Sequence, residues 1–247
     1  MTKRIIAAGA VLGLTMAGLA ACTTMGEAAP GGSAIASAVS DTMRPAEDMA
    51  RDDVRKPAQI VEFAGVEPGD VVAEIAPGGG YYTRILSRSV GPAGKVYALM
   101  PSFIAERPGG LDGVNALASQ YGNVEVVVVD YGSTELPEPV DLVWTTENYH
   151  DLANGDIEQV NGWVFDALKP GGLYFVEDHS APGTGLSAIS TLHRIDPVAV
   201  REQVMMAGFI LEAQSDLLRN PSDPHNVSPR DVVPTSDKFA FRFRKPG

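Results

Sequence analysis

The sequence predicts a doubly wound α/β domain built on a mostly parallel sheet of seven strands, the last of them antiparallel. Three observations predict it. Short apolar runs alternate with helix-period segments from residue 71 onward, the pattern of successive βαβ units. Glycine-rich turns, Pro77-Gly78-Gly79-Gly80 and Lys169-Pro170-Gly171-Gly172, stand where strand and helix exchange. The final run alternates, with Phe239, Phe241 and Phe243 on one face and Ala240, Arg242 and Arg244 on the other, as an antiparallel strand at a sheet does.

Each element has its own local reason. Val71–Ile75 is the first strand, and the turn after it leads to a short helix through Ile85 and Leu86. Ala76 precedes Pro77, which pushes it toward extended backbone, so the turn is expected to depart from the usual tight one. Lys95–Leu99 follows the turn Gly91-Pro92-Ala93-Gly94 as strand two. Leu111, Val114, Leu117, Ala118 and Tyr121 recur at helical spacing, and Val124–Val129 reads as a strand buried on both faces. Val140–Thr145 is strand four; a helix carrying Ile157, Val160, Val164 and Leu168 leads to strand five at Leu173–Val176. Asp196-Pro197 pairs an N-cap with proline at the first helical position, opening a helix that ends at Gly208. Phe209–Ala213 and Phe239–Phe243 complete the sheet, separated by a stretch from Leu217 to Ser236 with four prolines. A loop of that length in a compact domain is expected to close over a binding pocket.

Composition narrows the function. Forty-five percent apolar and 20% charged residues describe a globular chain, and a formal charge of −12 repels phosphate backbones, which argues against a nucleic-acid partner. The start is different in kind. Lys3 and Arg4 precede a charge-free run from Ile5 to Ala21, the layout of an export signal. Leu19-Ala20-Ala21-Cys22 resembles the lipobox of bacterial lipoproteins, which implies cleavage after residue 21 and a lipid on Cys22. Thr23 is not the aspartate that retains such proteins at the inner membrane, so the periplasmic face of the outer membrane is the expected location. Residues 22–42 are small and polar and read as a flexible tether, leaving 43–247 as the folded domain.

The segment Val71-Val72-Ala73-Glu74-Ile75-Ala76-Pro77-Gly78-Gly79-Gly80 resembles the first motif of class I S-adenosylmethionine-dependent methyltransferases, and Leu168-Lys169-Pro170-Gly171-Gly172-Leu173 resembles their turn into strand five. Pro77 to Thr83, with Asn148-Tyr149-His150-Asp151 and Leu192-His193-Arg194-Ile195-Asp196, is similar to a bacterial group of predicted methyltransferases, some exported. The resemblance spans Arg51 to Lys245 and implies a Rossmann-like methyltransferase fold, S-adenosylmethionine as cofactor and a small-molecule acceptor. It places Glu74 near the cofactor's amino-acid moiety and Gly78 and Gly80 under its methionine and ribose, with Pro77, Gly79 and Tyr81 among the cofactor-binding residues. Asp130 falls at the adenine, with Tyr131 beside it. The ribose-binding acid of the family is replaced by Met100, and its first glycine by Ala76. Tyr81 and Tyr82 either stack on a ligand or belong to the core.

The chemistry is expected beyond the strand ends. There stand Glu147, Asn148, Tyr149, His150 and Asp151, then Glu177, Asp178 and His179. His150 is the first candidate for the base that a methyl acceptor needs and His179 the second, with Asp151 or Asp178 orienting the ring. His193, between Leu192 and Arg194-Ile195, reads as a packing residue. No compact ligand spacing marks a metal site. Export is hard to reconcile with a cofactor made in the cytoplasm, so a non-catalytic methyltransferase-fold binding module of the cell envelope stands as the alternative, and an enzyme of other chemistry as a third.

Overall fold

The computed structural model describes Met1 and residues 30–247. Apart from Met1, the expected export signal at 1–21 and the expected lipid site Cys22 lie outside the described residues. Among the described residues, no helix is long and apolar enough to cross a membrane.

Residues 30–42 are not the loose tether their composition suggests. Pro30–Val39 forms helix α1, and Ile35 and Ala38 are buried with Ile60 and Leu86 in one apolar cluster. Ala is the strongest helix former, and the apolar positions Ile35, Ala38 and Val39 share one face at i, i+3 and i+4. Arg44, almost fully buried, donates to the Val39 carbonyl at the end of α1 and to both carboxylate oxygens of Asp52 at 2.8 and 2.6 Å. Two single-turn helices, α2 (Ala46–Met49) and α3 (Asp52–Arg55), follow and lead into α4 (Pro57–Ala64).

The sheet comes next. In chain order the elements are β1 (Val71–Ile75), α5 (Tyr81–Val90), β2 (Lys95–Pro101), α6 (Ser102–Ala105), α7 (Asp112–Gln120), β3 (Val124–Val129) and β4 (Val140–Thr146). They continue through α8 (Tyr149–Leu152), α9 (Ile157–Ala167), β5 (Leu168–His179), α10 (Ile189–Leu192), α11 (Pro197–Met206), β6 (Ile210–Ser215) and β7 (Lys238–Arg244). The strands lie in the order β3-β2-β1-β4-β5-β7-β6. The first five pair in parallel, and β7 runs antiparallel between β5 and β6. Asp196 caps α11 by accepting from the Val198 N–H at 2.9 Å.

Two local readings change. β3 is an edge strand with Glu125 and Val128 exposed, because only β2 pairs with it, so the Val-rich run is not buried on both faces. Leu168 does not end α9 but opens β5 opposite Val140, and the Lys169–Gly172 turn forms an irregularity before Leu173 pairs with Leu142. One apolar cluster, with Val61, Leu86, Trp144 and Phe175, lies on the face carrying α1, α4, α5 and α7; the other, with Tyr97, Tyr174, Val200 and Phe243, lies under α9 and α11. β1 and β4 are neighbours, yet the chain leaves them toward opposite edges, so their carboxyl ends open a crevice.

Candidate active site

The turn after β1 forms one wall of that crevice. Ala76 has φ +48°, Gly78 φ +57° and Gly80 φ +80°. The extended backbone expected at Ala76 is therefore overturned: it adopts the left-handed conformation a glycine would take. Tertiary contacts override the preference imposed by Pro77. The Ala76 N–H donates to Leu99 O at 3.0 Å, and Asn148 Nδ2, at the end of β4, donates to the carbonyls of Ile75 and Ala76 at 3.3 Å and of Thr146 at 2.7 Å. Strain of this kind persists only where the surroundings over-determine it.

The three glycines divide by role. A Cβ at Gly78 or Gly79 would meet no atom within 4 Å, whereas one at Gly80 would lie 2.0 Å from Leu117 Cδ1. Gly80 thus lets α7 pack against the turn, and Gly78 and Gly79 leave backbone bare toward a cavity of about 270 Å³. Glu74 lines the same cavity. Its side chain is buried, one carboxylate oxygen has no hydrogen-bond partner, and burial pushes the carboxyl up to about 7. Tyr81 closes the outer side, its hydroxyl donating to Asp52 at 2.6 Å and its ring lying about 5 Å from the Arg51 and Arg55 guanidinium carbons. Tyr82 is core, its ring centroid 4.8 Å from that of Trp144.

Arg51, Arg55, Glu147 and Asn148 also line a second cavity of about 790 Å³, with His150, Asp151, His179, His193 and Lys238. Ser228–Arg230 and Pro234–Ser236 form its far wall, so the Pro-rich stretch does border the pocket. That stretch is pinned by a fully buried ion pair, Arg194 to Asp223 at 2.9 Å, while Arg194 also donates to the Val227 and Ser180 carbonyls.

His150 is buried at the start of α8. Its Nδ1 donates to Asp178 at 2.8 and 3.0 Å, and its own backbone N–H donates to Asp178 Oδ2 at 2.7 Å. Burial opposes a charge on the ring, but the hydrogen bond to Asp178 together with the negative charges of Asp178, Asp151 and Glu147 outweighs it and raises the pKa. With Nδ1 committed, Nε2 is left facing Asp151 Oδ1 at 3.5 Å. His179, 6.1 Å from His150 between ring centroids, bonds Ser236 Oγ through Nδ1 at 2.7 Å, and burial pushes it down to about 4. It is the weaker base of the two.

A charged network joins the two cavities. Glu147, in left-handed backbone at φ +56°, accepts from Arg55 at 2.8 Å and from Lys238, and buried Glu177 lies 3.2 Å from the Lys238 ammonium. Burial works against the Glu147 charge, but Lys238 and Arg55 hold its carboxyl well below the usual range; burial raises that of Glu177. Arg51, Arg55 and Lys238 were not singled out from sequence, although Arg51 and Arg55 stand four residues apart.

The remaining candidates lie elsewhere. Met100, Asp130 and Tyr131 line neither cavity. Met100 packs in the apolar cluster beneath α5 and α7. Tyr131 donates to Leu99 O at 3.2 Å and packs edge-on to Trp163. Asp130 is exposed at the tip of β3, where it accepts from the Ser102 hydroxyl. His193 is not a packing residue: its side chain is 65% exposed, 3.8 Å from Asp151.

Two solved structures share the architecture. A SAM dependent methyltransferase from Aquifex aeolicus matches with TM-score 0.59 and 17% identity, covering 79% of this chain and 93% of that one. The N-methyltransferase NodS from Bradyrhizobium japonicum WM9 matches with TM-score 0.54 and 13% identity, covering 81% and 97%. The fold is that of the class I methyltransferases. In sequence, 130 residues are 32% identical to the protein-L-isoaspartate O-methyltransferase of Ignicoccus hospitalis, covering 51% of this chain and 55% of that relative. The chain therefore spans about half the length of the curated relative it matches. No protein-family model matches it. Within this methyltransferase fold, Glu74 and the Pro77–Gly79 turn meet in the smaller cavity, and His150, Asp178 and His179 meet beside the larger one.

Proposed function

We propose that the protein transfers a methyl group from S-adenosylmethionine to a small-molecule acceptor held in the 790 Å³ cavity. The observation that carries this reading is the bare turn at Gly78 and Gly79, set over an unpartnered, buried Glu74 oxygen in a cavity that shares four residues with a larger one. When bound, S-adenosylmethionine supplies a methyl group on a positively charged sulfur. Glu74 fits a cationic ligand, since an unpaired buried carboxylate gains most from a charge-assisted partner. Gly78, Gly79 and Tyr81 complete its holder. By the family resemblance alone Asp130, outside both cavities, would take the adenine amino group, and Met100 offers the ribose no strong acceptor, which places most of the affinity at the methionine end. His150 keeps a free Nε2 to take the acceptor's proton, with Asp178 fixing its tautomer; His179 and Ser236 shape the wall.

We further propose that the chain is exported and held by lipid on Cys22 in the cell envelope, on the strength of the Leu19-Ala20-Ala21-Cys22 run. Detergent partitioning and intact mass test it. The competing reading, a non-catalytic binding module, is favoured by the packing of Met100 into the core where an acid would serve.

Ligand-dependent melting decides between the two. A ligand at about 100 times its Kd stabilises the native state by roughly 2.7 kcal/mol. S-adenosylmethionine and its demethylated product should raise the melting point, and Gly79→Val should remove the rise while leaving the fold intact, because Gly79 has open space and no left-handed backbone to strain. No rise at millimolar ligand would favour the binding module.

A further inference from the structure

At the mouth of the larger cavity, the fold brings His193, some forty residues on, beside the adjacent pair His150 and Asp151. Nε2 of His150 lies 3.5 Å from Asp151 Oδ1, and Nδ1 of His193 lies 3.8 Å from the same oxygen. The three candidate ligand atoms all fall within 4.8 Å of one another. We propose that His150, Asp151 and His193 bind a divalent first-row transition-metal ion.

The tautomer of His150 is the first support. Because Nδ1–H donates to Asp178, the lone pair of the neutral ring is on Nε2, which lies 3.5 Å from a carboxylate oxygen, with a second imidazole 5.7 Å away between ring centroids. Acceptors facing one another in this way attract whatever positive centre fits between them, a proton on Nε2 or a metal ion. The Asp178–His150 pair is also the arrangement in which a carboxylate fixes a metal-ligating histidine and raises its basicity. Asp178 is fully buried and accepts from two backbone N–H groups as well, so the ring is held before any ion arrives.

Distances give the second support. Two atoms on one tetrahedral zinc ion lie about 3.3 Å apart at bond lengths of about 2.0–2.1 Å. Asp151 and His193, each about two-thirds exposed, need only small side-chain rotations to close on buried His150. Two imidazoles and one carboxylate suit zinc or ferrous iron better than magnesium or calcium, which take oxygen ligands, and they leave coordination positions open toward the cavity.

The role of the ion rests on the reading of that cavity as the acceptor site. In the metal-free protein, Nε2 takes the acceptor's proton directly. In the loaded protein Nε2 would be a ligand, and the ion's open positions would supply Lewis acidity to an acceptor hydroxyl, whose proton would pass to bulk water as its oxygen takes the methyl group from the sulfonium.

The test uses the full chain without a polyhistidine tag, stripped with chelator and titrated with zinc by calorimetry and with cobalt by visible absorption. One ion per chain is expected, with His193→Ala and Asp151→Asn each weakening binding by at least 10–100-fold. Both side chains are largely exposed, so circular dichroism should not change. Equal affinity in wild type and both variants, or no binding at submillimolar zinc, would overturn the proposal. Melting of the stripped protein with S-adenosylmethionine separates the two ideas. Ligand stabilisation without metal binding refutes the ion alone, and metal binding without ligand stabilisation supports the ion and refutes the methyl-transfer reading.

Discussion

Glu74→Gln replaces a buried carboxylic acid with an amide of nearly the same shape, and its effect follows from one quantity. Burial raises the carboxyl from its usual 4.5 to about 7 in the folded chain, a difference worth about 3 kcal/mol at 1.36 kcal/mol per unit. Folded protein holds this proton more tightly than unfolded protein does. Stability from the group is therefore intact below about pH 4.5, declines as pH rises, and is fully lost above about pH 7. Roughly a quarter of the loss has already occurred by pH 5, which leaves about 2 kcal/mol between pH 5 and pH 8.5. Urea unfolding at the two pH values measures it: wild type should fall by that amount relative to Glu74→Gln, with the denaturant slope unchanged. A second readout comes from the ligand. A cation beside Glu74 favours the ionised carboxylate, so wild-type affinity for S-adenosylmethionine should rise through pH 7 while that of the variant stays flat. Parallel stability curves for the two proteins would refute the reasoning, since they would mean Glu74 does not titrate in this range.

Other perturbations probe separate parts of the molecule. Ala76→Gly should relieve left-handed strain of about 1–2 kcal/mol, less the roughly 0.5–1 kcal/mol that glycine costs in the unfolded chain, giving a small gain in urea midpoint. Asp223→Ala leaves the Arg194 guanidinium buried without its charge partner, a loss of about 3–5 kcal/mol, and should lower the melting temperature by roughly 10 °C. An unchanged melting point would show that the Pro-rich wall is not held by this pair. Asp130→Ala should weaken S-adenosylmethionine by about 1–3 kcal/mol in calorimetry without altering stability, because the side chain is exposed.

The strands were legible because their signals are local. Val71–Ile75 carries its apolar run and Phe239–Phe243 its alternation within five residues, and Asp196-Pro197 contains both the cap and the proline at the first helical position. Elements whose cause is tertiary were not. Ala76 is held left-handed by Asn148, 72 positions away, and no property of the Ala76-Pro77 pair announces it. The single turns α2 and α3 are too short to show a period, which hid Arg51 and Arg55. Helix α1 was concealed by small residues that resemble a linker until something is present to pack against. At the site, His150 and Asp178 were legible as adjacent strand-end groups, whereas the nearness of His193 depends on how α10 returns to β4's end. Met100 could be recognised as a departure from the family, but not as a residue committed to the core.

Helix α1 also sets a distance. Were the chain free to residue 42, a lipid on Cys22 would leave it a leash of some 70 Å at about 3.5 Å per residue. Since α1 begins at Pro30 and packs on the body through Ile35 and Ala38, the eight covalent steps from Cys22 to Pro30 span at most about 28 Å whatever their conformation. A domain of this size is about 40 Å across. On the proposed anchor the body would sit closer to the bilayer than its own width, and the acceptors within reach would be molecules at the lipid surface or crossing the narrow layer above it.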